Sequence, residues 1–274
     1  MKKILVPTDF SETSKNAARY AVQLASKVTG VKVIFYHVYN GMAAGSDGSL
    51  LTETREDRTR VLDFAFANFE TEMALEGVPV QSVYENGDSL VSAVEKYVRN
   101  NSIDLVIMGI TGASEIDQAL MGSNAVDMAR EGICPVIIVP PSATYKPIEN
   151  VLLATDFKDV QSTVPVNIII KVLDLFKPIL HIVHTGDGES IDSKTGFKTE
   201  KAWLETSFES YDPDFYFIHS EDFLEAISNF TADHSIDMIV TVPKNHSFLN
   251  NFFKKNHTKK LAYHSHIPVL AIHE

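Results

Sequence analysis

The chain repeats itself. Ile103-Asp104-Leu105-Val106-Ile107 runs on to Cys134-Pro135-Val136, and Ile236-Asp237-Met238-Ile239-Val240 runs on to Ile267-Pro268-Val269, with 236 standing 133 after 103. At the front, Lys3-Ile4-Leu5-Val6-Pro7-Thr8-Asp9-Phe10 returns as Asn150-Val151-Leu152-Leu153-Ala154-Thr155-Asp156-Phe157, with 150 standing 147 after 3, and His37 matches His184 at that same spacing. The shorter second offset means that the later copy lost residues mid-domain. A unit of about 140 residues can bury a core of its own, so the duplication is of whole domains rather than of solenoid repeats. Two domains are expected, 1–145 and 146–274, meeting near Ser142 to Glu149.

Within the first copy, short β-rich apolar runs alternate with helical patterns, the signature of a parallel sheet covered on both faces. The expected strands are Lys3 to Pro7, Lys32 to Val38, Val80 to Tyr84, Asp104 to Met108 and Val136 to Val139. Ala17, Ala18, Ala21, Val22, Leu24 and Ala25 form one apolar helix face, with Ser11 or Thr13 as its N-cap. Longer helices are expected over Thr52 to Glu76 and Ser89 to Arg99, and the glycine-rich Gly41 to Ser49 reads as a mobile loop. In the second copy the matching strands are Val151 to Ala154, Ile179 to His184, Phe215 to Ile218, Asp237 to Val242 and Val269 to Ile272. Its first helix, near Val160 to Phe176, contains Pro165, which either occupies the first turn or kinks the helix.

The two copies differ where chemistry would enter. The first carries Gly109, Gly112, Gly122 and Ser123 where the second carries Val242, Asn245, Lys255 and Asn256. The glycine segment follows a strand and precedes a helix beginning near Gly122, so backbone N–H groups with a helix N-terminus behind them can converge on an anion. Glycine lets the backbone approach a ligand closely. The spacing is neither a Walker A loop, which needs a lysine after its last glycine, nor the dinucleotide fingerprint. By themselves these glycines fit a plain structural turn equally well.

Taken together, Gly109-x-x-Gly112, nine residues, then Gly122-Ser123, with Val6-Pro7-Thr8-Asp9 on the first strand and Cys134-Pro135-Val136-Ile137-Ile138-Val139-Pro140 on the last, resemble the universal stress protein family. The resemblance spans both halves, as in a tandem member. It implies an α/β fold of two doubly wound domains, each an open five-stranded parallel sheet of order 3-2-1-4-5 with helices on both faces. It further implies ATP bound across the carboxyl ends of strands 1 and 4, which is where ligands sit in such sheets. By the same resemblance Pro7, Thr8 and Asp9 flank adenine and ribose, and the backbone at Val38 reads the adenine edge. Met108, Gly109 and Gly112 wall the phosphates, while Gly122, Ser123 and Asn124 donate hydrogen bonds to them. One departure stands out: the stretch between the second and third glycines carries Glu115 and Asp117 where family members often carry basic residues. Carboxylates repel a triphosphate unless they face solvent or a metal such as magnesium intervenes.

Composition narrows the partners. The formal net charge of -12 divides evenly, 12 basic against 18 acidic residues in each half. No basic patch stands out, so neither nucleic acid nor an anionic membrane is expected as a partner. No stretch approaches the roughly 20 apolar residues of a membrane helix. The start Met1-Lys2-Lys3-Ile4-Leu5-Val6 is cut short by Pro7 and Asp9, and reads as a buried strand rather than a signal peptide. The single Cys134 cannot form an internal disulfide, and a cytoplasmic location is expected.

Other features take a plain reading beside the functional one. Asp156 repeats Asp9 without a phosphate loop beside it, and caps a turn or touches a ligand. Lys244, Lys254, Lys255, Lys259 and Lys260 form an exposed basic face or an anion site. Nine of the ten histidines lie beyond residue 180; His264-x-His266 with His257 has metal-ligand spacing, but no cysteine ligand accompanies it. Cys134, before Pro135 at the start of a buried strand, reads as an inert packed thiol.

Three function classes follow: an ATP-binding stress-response or regulatory protein using the first site only, with an unidentified protein partner; a slow ATP-hydrolysing enzyme; and a scaffold that binds no nucleotide. For hydrolysis the only candidates for a base or metal clamp are Asp9, Glu115 and Asp117, and no catalytic residue or metal ligand is assigned. The two last strands, Val136 to Val139 and Val269 to Ile272, are expected to pair as an intramolecular pseudo-dimer, with further homodimerisation left open.

Overall fold

The computed structural model describes residues 1–40, 55–110, 123–155, 157, 159–186, 195–220, 223–242 and 266–273. The first half runs β1 (Lys3–Pro7), α1 (Glu12–Ala25), β2 (Lys32–Tyr39), α2 (Arg55–Met73), β3 (Val80–Asn86), α3 (Leu90–Asn101), β4 (Leu105–Gly109), α4 (Ser123–Glu131) and β5 (Val136–Val139). The second runs β6 (Asn150–Ala154), α5 (Val160–Thr163), α6 (Val166–Leu173), β7 (Ile179–Gly186), α7 (Thr195–Ser207), a 3-10 turn at Glu209–Tyr211, β8 (Asp214–His219), α8 (Phe223–Asp233), β9 (Met238–Thr241) and β10 (Val269–Ala271).

All ten strands join one open sheet of order β3-β2-β1-β4-β5-β10-β9-β6-β7-β8. Each half therefore has the order 3-2-1-4-5 counted in its own strands, and every pairing within a half is parallel. The halves meet where β10 pairs antiparallel with β5, Val269 opposite Ile138 and Ala271 opposite Val136. These are the two apolar runs expected to seek each other. Pairing them removes two open edges whose backbone groups would otherwise face water.

The strands are apolar on both faces because helices cover both. Ile4, Leu5 and Val6 are fully buried, as are Ile137 and Ile138. One face packs Ile4, Val6, Phe35 and Ile107 under α1; the other packs Leu5, Tyr36 and Val106 under α3 and α4. The helix α1 buries the predicted face Ala17, Ala18, Ala21, Val22, Leu24 and Ala25, and Ser11 is its N-cap, with its hydroxyl accepting from the Ser14 amide at 3.3 Å.

The duplication recurs as geometry. The Asp104 Oδ2 accepts from the amides of Lys2 and Lys3, and the Asp237 Oδ2 accepts from those of Glu149 and Asn150. Ser102 and Ser235 both end their helices in the left-handed region, at φ 52° and 49°. An aspartate two residues past a left-handed serine thus pins the start of the central strand in both halves.

Pro165 breaks the symmetry. Its missing N–H and fixed ring divide what is one helix in the first half into the four-residue α5 and α6, with Pro165 itself as the N-cap of α6. The sequence left a first-turn position or a kink open; the structure instead sets Pro165 at the boundary between two separate helices.

Candidate functional site

At the end of β1 the chain leaves the sheet through a knot of short-range hydrogen bonds. The Thr8 amide donates to the Tyr36 carbonyl at 2.8 Å, holding β1 beside β2 to the last residue. The buried Thr8 hydroxyl lies 3.0 Å from the Ser14 hydroxyl and accepts from the Phe10 amide at 3.0 Å. Phe10 takes a left-handed φ of 64°, a conformation costly for a bulky residue, and its ring is anchored by edge contacts to Phe66 and Phe69. The sharp turn this makes delivers α1 back over the sheet.

Asp9 sits in that turn. Its Oδ1 accepts from the Ser11 amide at 3.0 Å and the Ser11 hydroxyl at 2.5 Å. Burial pulls its pKa upward, but the hydrogen bonds from the Ser11 side chain and backbone and from Ser14 outweigh this and hold the carboxyl below its usual range. Asp9 is a carboxylate at neutral pH.

Gly109 ends β4 against the first turn of α1. A Cβ built there would stand 2.4 Å from the Thr13 carbonyl oxygen and 2.8 Å from its carbon, backbone atoms that cannot swing aside. Glycine is the residue that permits this approach. Between β1, β4 and the start of α4 lies a cavity of about 280 Å³. Of the ten residues predicted for the site, Pro7, Thr8, Asp9, Val38, Met108, Gly109 and Asn124 line it. Gly112 and Gly122 lie outside the described residues, as does the Ser123 side chain, although Ser123 is the first residue of α4.

Ser11, Thr13, Ser14, His37, Leu90 and Ala125 also line the cavity and were not nominated from sequence. The three hydroxyls had a readable signal: Ser11-Glu12-Thr13-Ser14 is a capping sequence directly after Asp9, so its first turn must open on the same strand end. With Asn124 and Ala125 at the cavity wall, the first turn of α4 borders the cavity, and a helix N-terminus, whose first N–H groups lack intrahelical partners, is suited to an anion.

The second half reproduces the scaffold around the end of its first strand. The Thr155 amide donates to the Val183 carbonyl at 3.1 Å, the Phe157 amide donates to the Thr155 hydroxyl at 3.2 Å, and Phe157 is left-handed at φ 52°. The His184 Nδ1 donates to the Thr155 carbonyl at 3.1 Å, matching His37 and the Thr8 carbonyl at 2.8 Å. Because both halves share this histidine bond, it ties adjacent strand ends together and is a property of the fold. Val242 replaces Gly109, and the short α5 is bound elsewhere, with the Val160 amide donating to Glu200 of α7 at 2.9 Å. Lys244, Lys254, Lys255, Lys259 and Lys260, like His257 and His264, lie outside the described residues, and so does Asp156. Among the described residues no cluster of three or more histidine, cysteine or acidic side chains could hold a metal, and no helix is long and apolar enough to cross a membrane.

Residues 1–140 match the sequence model of the Universal stress protein family. The chain belongs to the universal stress protein family. Two universal stress proteins of Methanocaldococcus jannaschii are similar in sequence, one 27% identical over 50% of this chain and 81% of its own length, the other 26% identical over 50% and 94%. A universal stress protein from Archaeoglobus fulgidus is similar in fold over 99% of this chain and 96% of its own, at TM-score 0.70 and 19% identity. The full-length likeness means that a universal stress protein fold extends across both halves.

In this family member, Cys134 stands at the start of β5 beside Val106, and burial pushes its thiol pKa up to about 12. A thiol that stays protonated is a poor nucleophile. The folded protein is therefore expected to react with a disulfide reagent at pH 8 at least about tenfold more slowly than the unfolded chain, in which the pKa is about 8.5; equal rates would show that the packing does not protect it.

Proposed function

We propose that this universal stress protein binds ATP in the cavity of its first half, and there only, and that the nucleotide acts as an effector that biases the protein's conformation toward or away from a protein partner. The observation that carries the reading is the convergence of Asp9, the backbone at Val38, Gly109 and the N-terminus of α4 on one cavity at the carboxyl ends of β1 and β4. The carboxylate at Asp9 is placed to accept hydrogen bonds from ribose hydroxyls. The α4 amides, with Asn124, meet phosphate oxygens without a lysine. Glu115 and Asp117 fall between the second and third glycines in sequence, and magnesium would offset their charge against a triphosphate.

In the second half Val242 occupies the place of Gly109, and the helix that should close the site is broken at Pro165. Titration calorimetry is expected to give one ATP per chain, with binding lost, at least about a hundredfold, in Gly122→Val. Two ATP per chain would remove the single-site reading. Unchanged affinity in Gly122→Val, with the protein folded, would remove the phosphate-loop reading altogether.

A further inference from the structure

The second half holds a buried nitrogen without a partner among the described residues. His181, in β7, is 6% exposed, and its Nδ1 makes no hydrogen bond to any of them. Its Nε2 donates to the Asn150 Oδ1 at 3.2 Å, so Nδ1 is the bare lone-pair nitrogen. Rings surround it: Tyr216 of β8 with centroids 5.7 Å apart, Phe230 of α8 at 6.0 Å and His234 just beyond α8 at 5.7 Å. His234 stacks on Phe230 at 3.9 Å, and its own Nδ1 donates to the Phe230 carbonyl at 3.1 Å. Among the described residues, the titratable and charged groups facing His181 are His234, and from β8 its register partner Asp214 and Tyr216; β6 offers the neutral Asn150.

We propose that His181 is an acid-sensitive latch: uptake of a proton at its buried Nδ1 releases β8 and α8, the outer edge of the second half, from β7. An imidazolium there would have a donor aimed among aromatic rings with no acceptor, and an unpaired buried donor is costly. Charging His234 as well would set two like charges side by side. The cheapest relief is to open the layer that covers the ring. β8 is the last strand of the sheet and pairs only with β7, so it can part without disturbing the other strands.

Burial, and then His234, hold the pKa of His181 below 6.5, with Asp214 pulling weakly the other way. The open state, with the ordinary value, binds the proton first. Closure is therefore favoured fully above pH 6.5 and is lost as pH falls below it, levelling off once the closed form is protonated too. One proton limits the change in the opening equilibrium to about tenfold per pH unit.

Hydrogen exchange on the intact chain between pH 7.5 and 5.0, corrected for intrinsic rates, tests this. Amides of β8 and α8 are expected to lose protection below pH 6.5 by up to about tenfold per unit, and to show no such loss in His181→Phe. Equal loss in the variant would overturn the latch. Should the variant misfold, NMR titration of the His181 imidazole in the unaltered protein decides: a midpoint below 6.5 supports the proposal, and one at or above 6.5 overturns it.

Discussion

Gly109→Val is expected to cost the protein about 3 kcal/mol of stability and to abolish ligand binding in the first half. A Cβ at this position would meet the Thr13 carbonyl oxygen at 2.4 Å, well inside van der Waals contact, and the two γ-methyl groups of valine must find room besides. The obstacle is the backbone of the first turn of α1, so relief requires the helix to lift or β4 to bend. Either movement displaces Ser11, Thr13 and Ser14, which line the cavity and cap the helix. Denaturant unfolding and nucleotide titration of the same variant measure the two effects. If the variant kept both its stability and its affinity, the close approach of β4 to α1 would have no part in either.

The second half has already made this exchange. Val242 stands where Gly109 does, and the helix after β6 is interrupted and tied to α7 through the bond from the Val160 amide to Glu200. Val242→Gly should therefore not create a nucleotide site, because Pro165 still breaks the helix whose first turn would have to line it.

How far the sequence revealed all this can be argued residue by residue. The central strands were legible because burial on both faces demands unbroken apolar runs such as Ile4-Leu5-Val6 and Val136-Ile137-Ile138, which no half-exposed element would carry. Edge strands were harder. β3 and β8 are only partly buried, so their apolar pattern fades at the ends, and both extend beyond the expected limits, to Asn86 and from Asp214 to His219. The helix α2 is described from Arg55, inside the expected 52–76, and carries Val61 and Phe64 exposed at 67% and 72%, so apolar periodicity alone misstates which face is buried.

The site divides in the same way. Gly109 stood out from the sequence because a glycine closing a strand is local information, whereas the places of Asp9 and Val38 came from the family resemblance. That β1 and β4 lie side by side, although Pro7 and Gly109 are far apart in sequence, came instead from the strand order that the family resemblance implied, and the structure has that order. The Thr8–Ser14 hydroxyl pair was missed because it depends on Phe10 adopting a left-handed turn, which nothing in a phenylalanine announces. The unpartnered nitrogen of His181 was equally hidden. Strand periodicity can put a histidine on the buried face, but only the packing of Tyr216, Phe230 and His234 decides whether both its nitrogens find partners.

On the proposed reading, ATP held in the first half is expected to survive intact for hours. Phosphoryl transfer needs a clamp on the developing charge and a positioned base or water, and an arginine finger alone is worth about 10³ to 10⁵ in rate. Among the described cavity residues there are hydroxyls, one carboxylate, the Asn124 amide, backbone amides and the His37 imidazole, whose Nδ1 is taken by the Thr8 carbonyl, but no lysine or arginine. Asp9 is ionised, yet its Oδ1 is engaged by the Ser11 amide and hydroxyl at the end of β1, and the role the family resemblance gives it lies at adenine and ribose rather than beside the γ-phosphate. In single-turnover experiments with protein in excess, the hydrolysis rate constant is expected below about 10⁻⁴ s⁻¹, under the intrinsic rate of small GTPases that lack their activating arginine. Asp9→Asn should then weaken ATP binding by about tenfold, roughly one charge-assisted hydrogen bond to the ribose, and leave the survival of bound ATP unchanged. Conversion to ADP within seconds, abolished by Asp9→Asn, would instead make the first half an enzyme with Asp9 at its chemical centre.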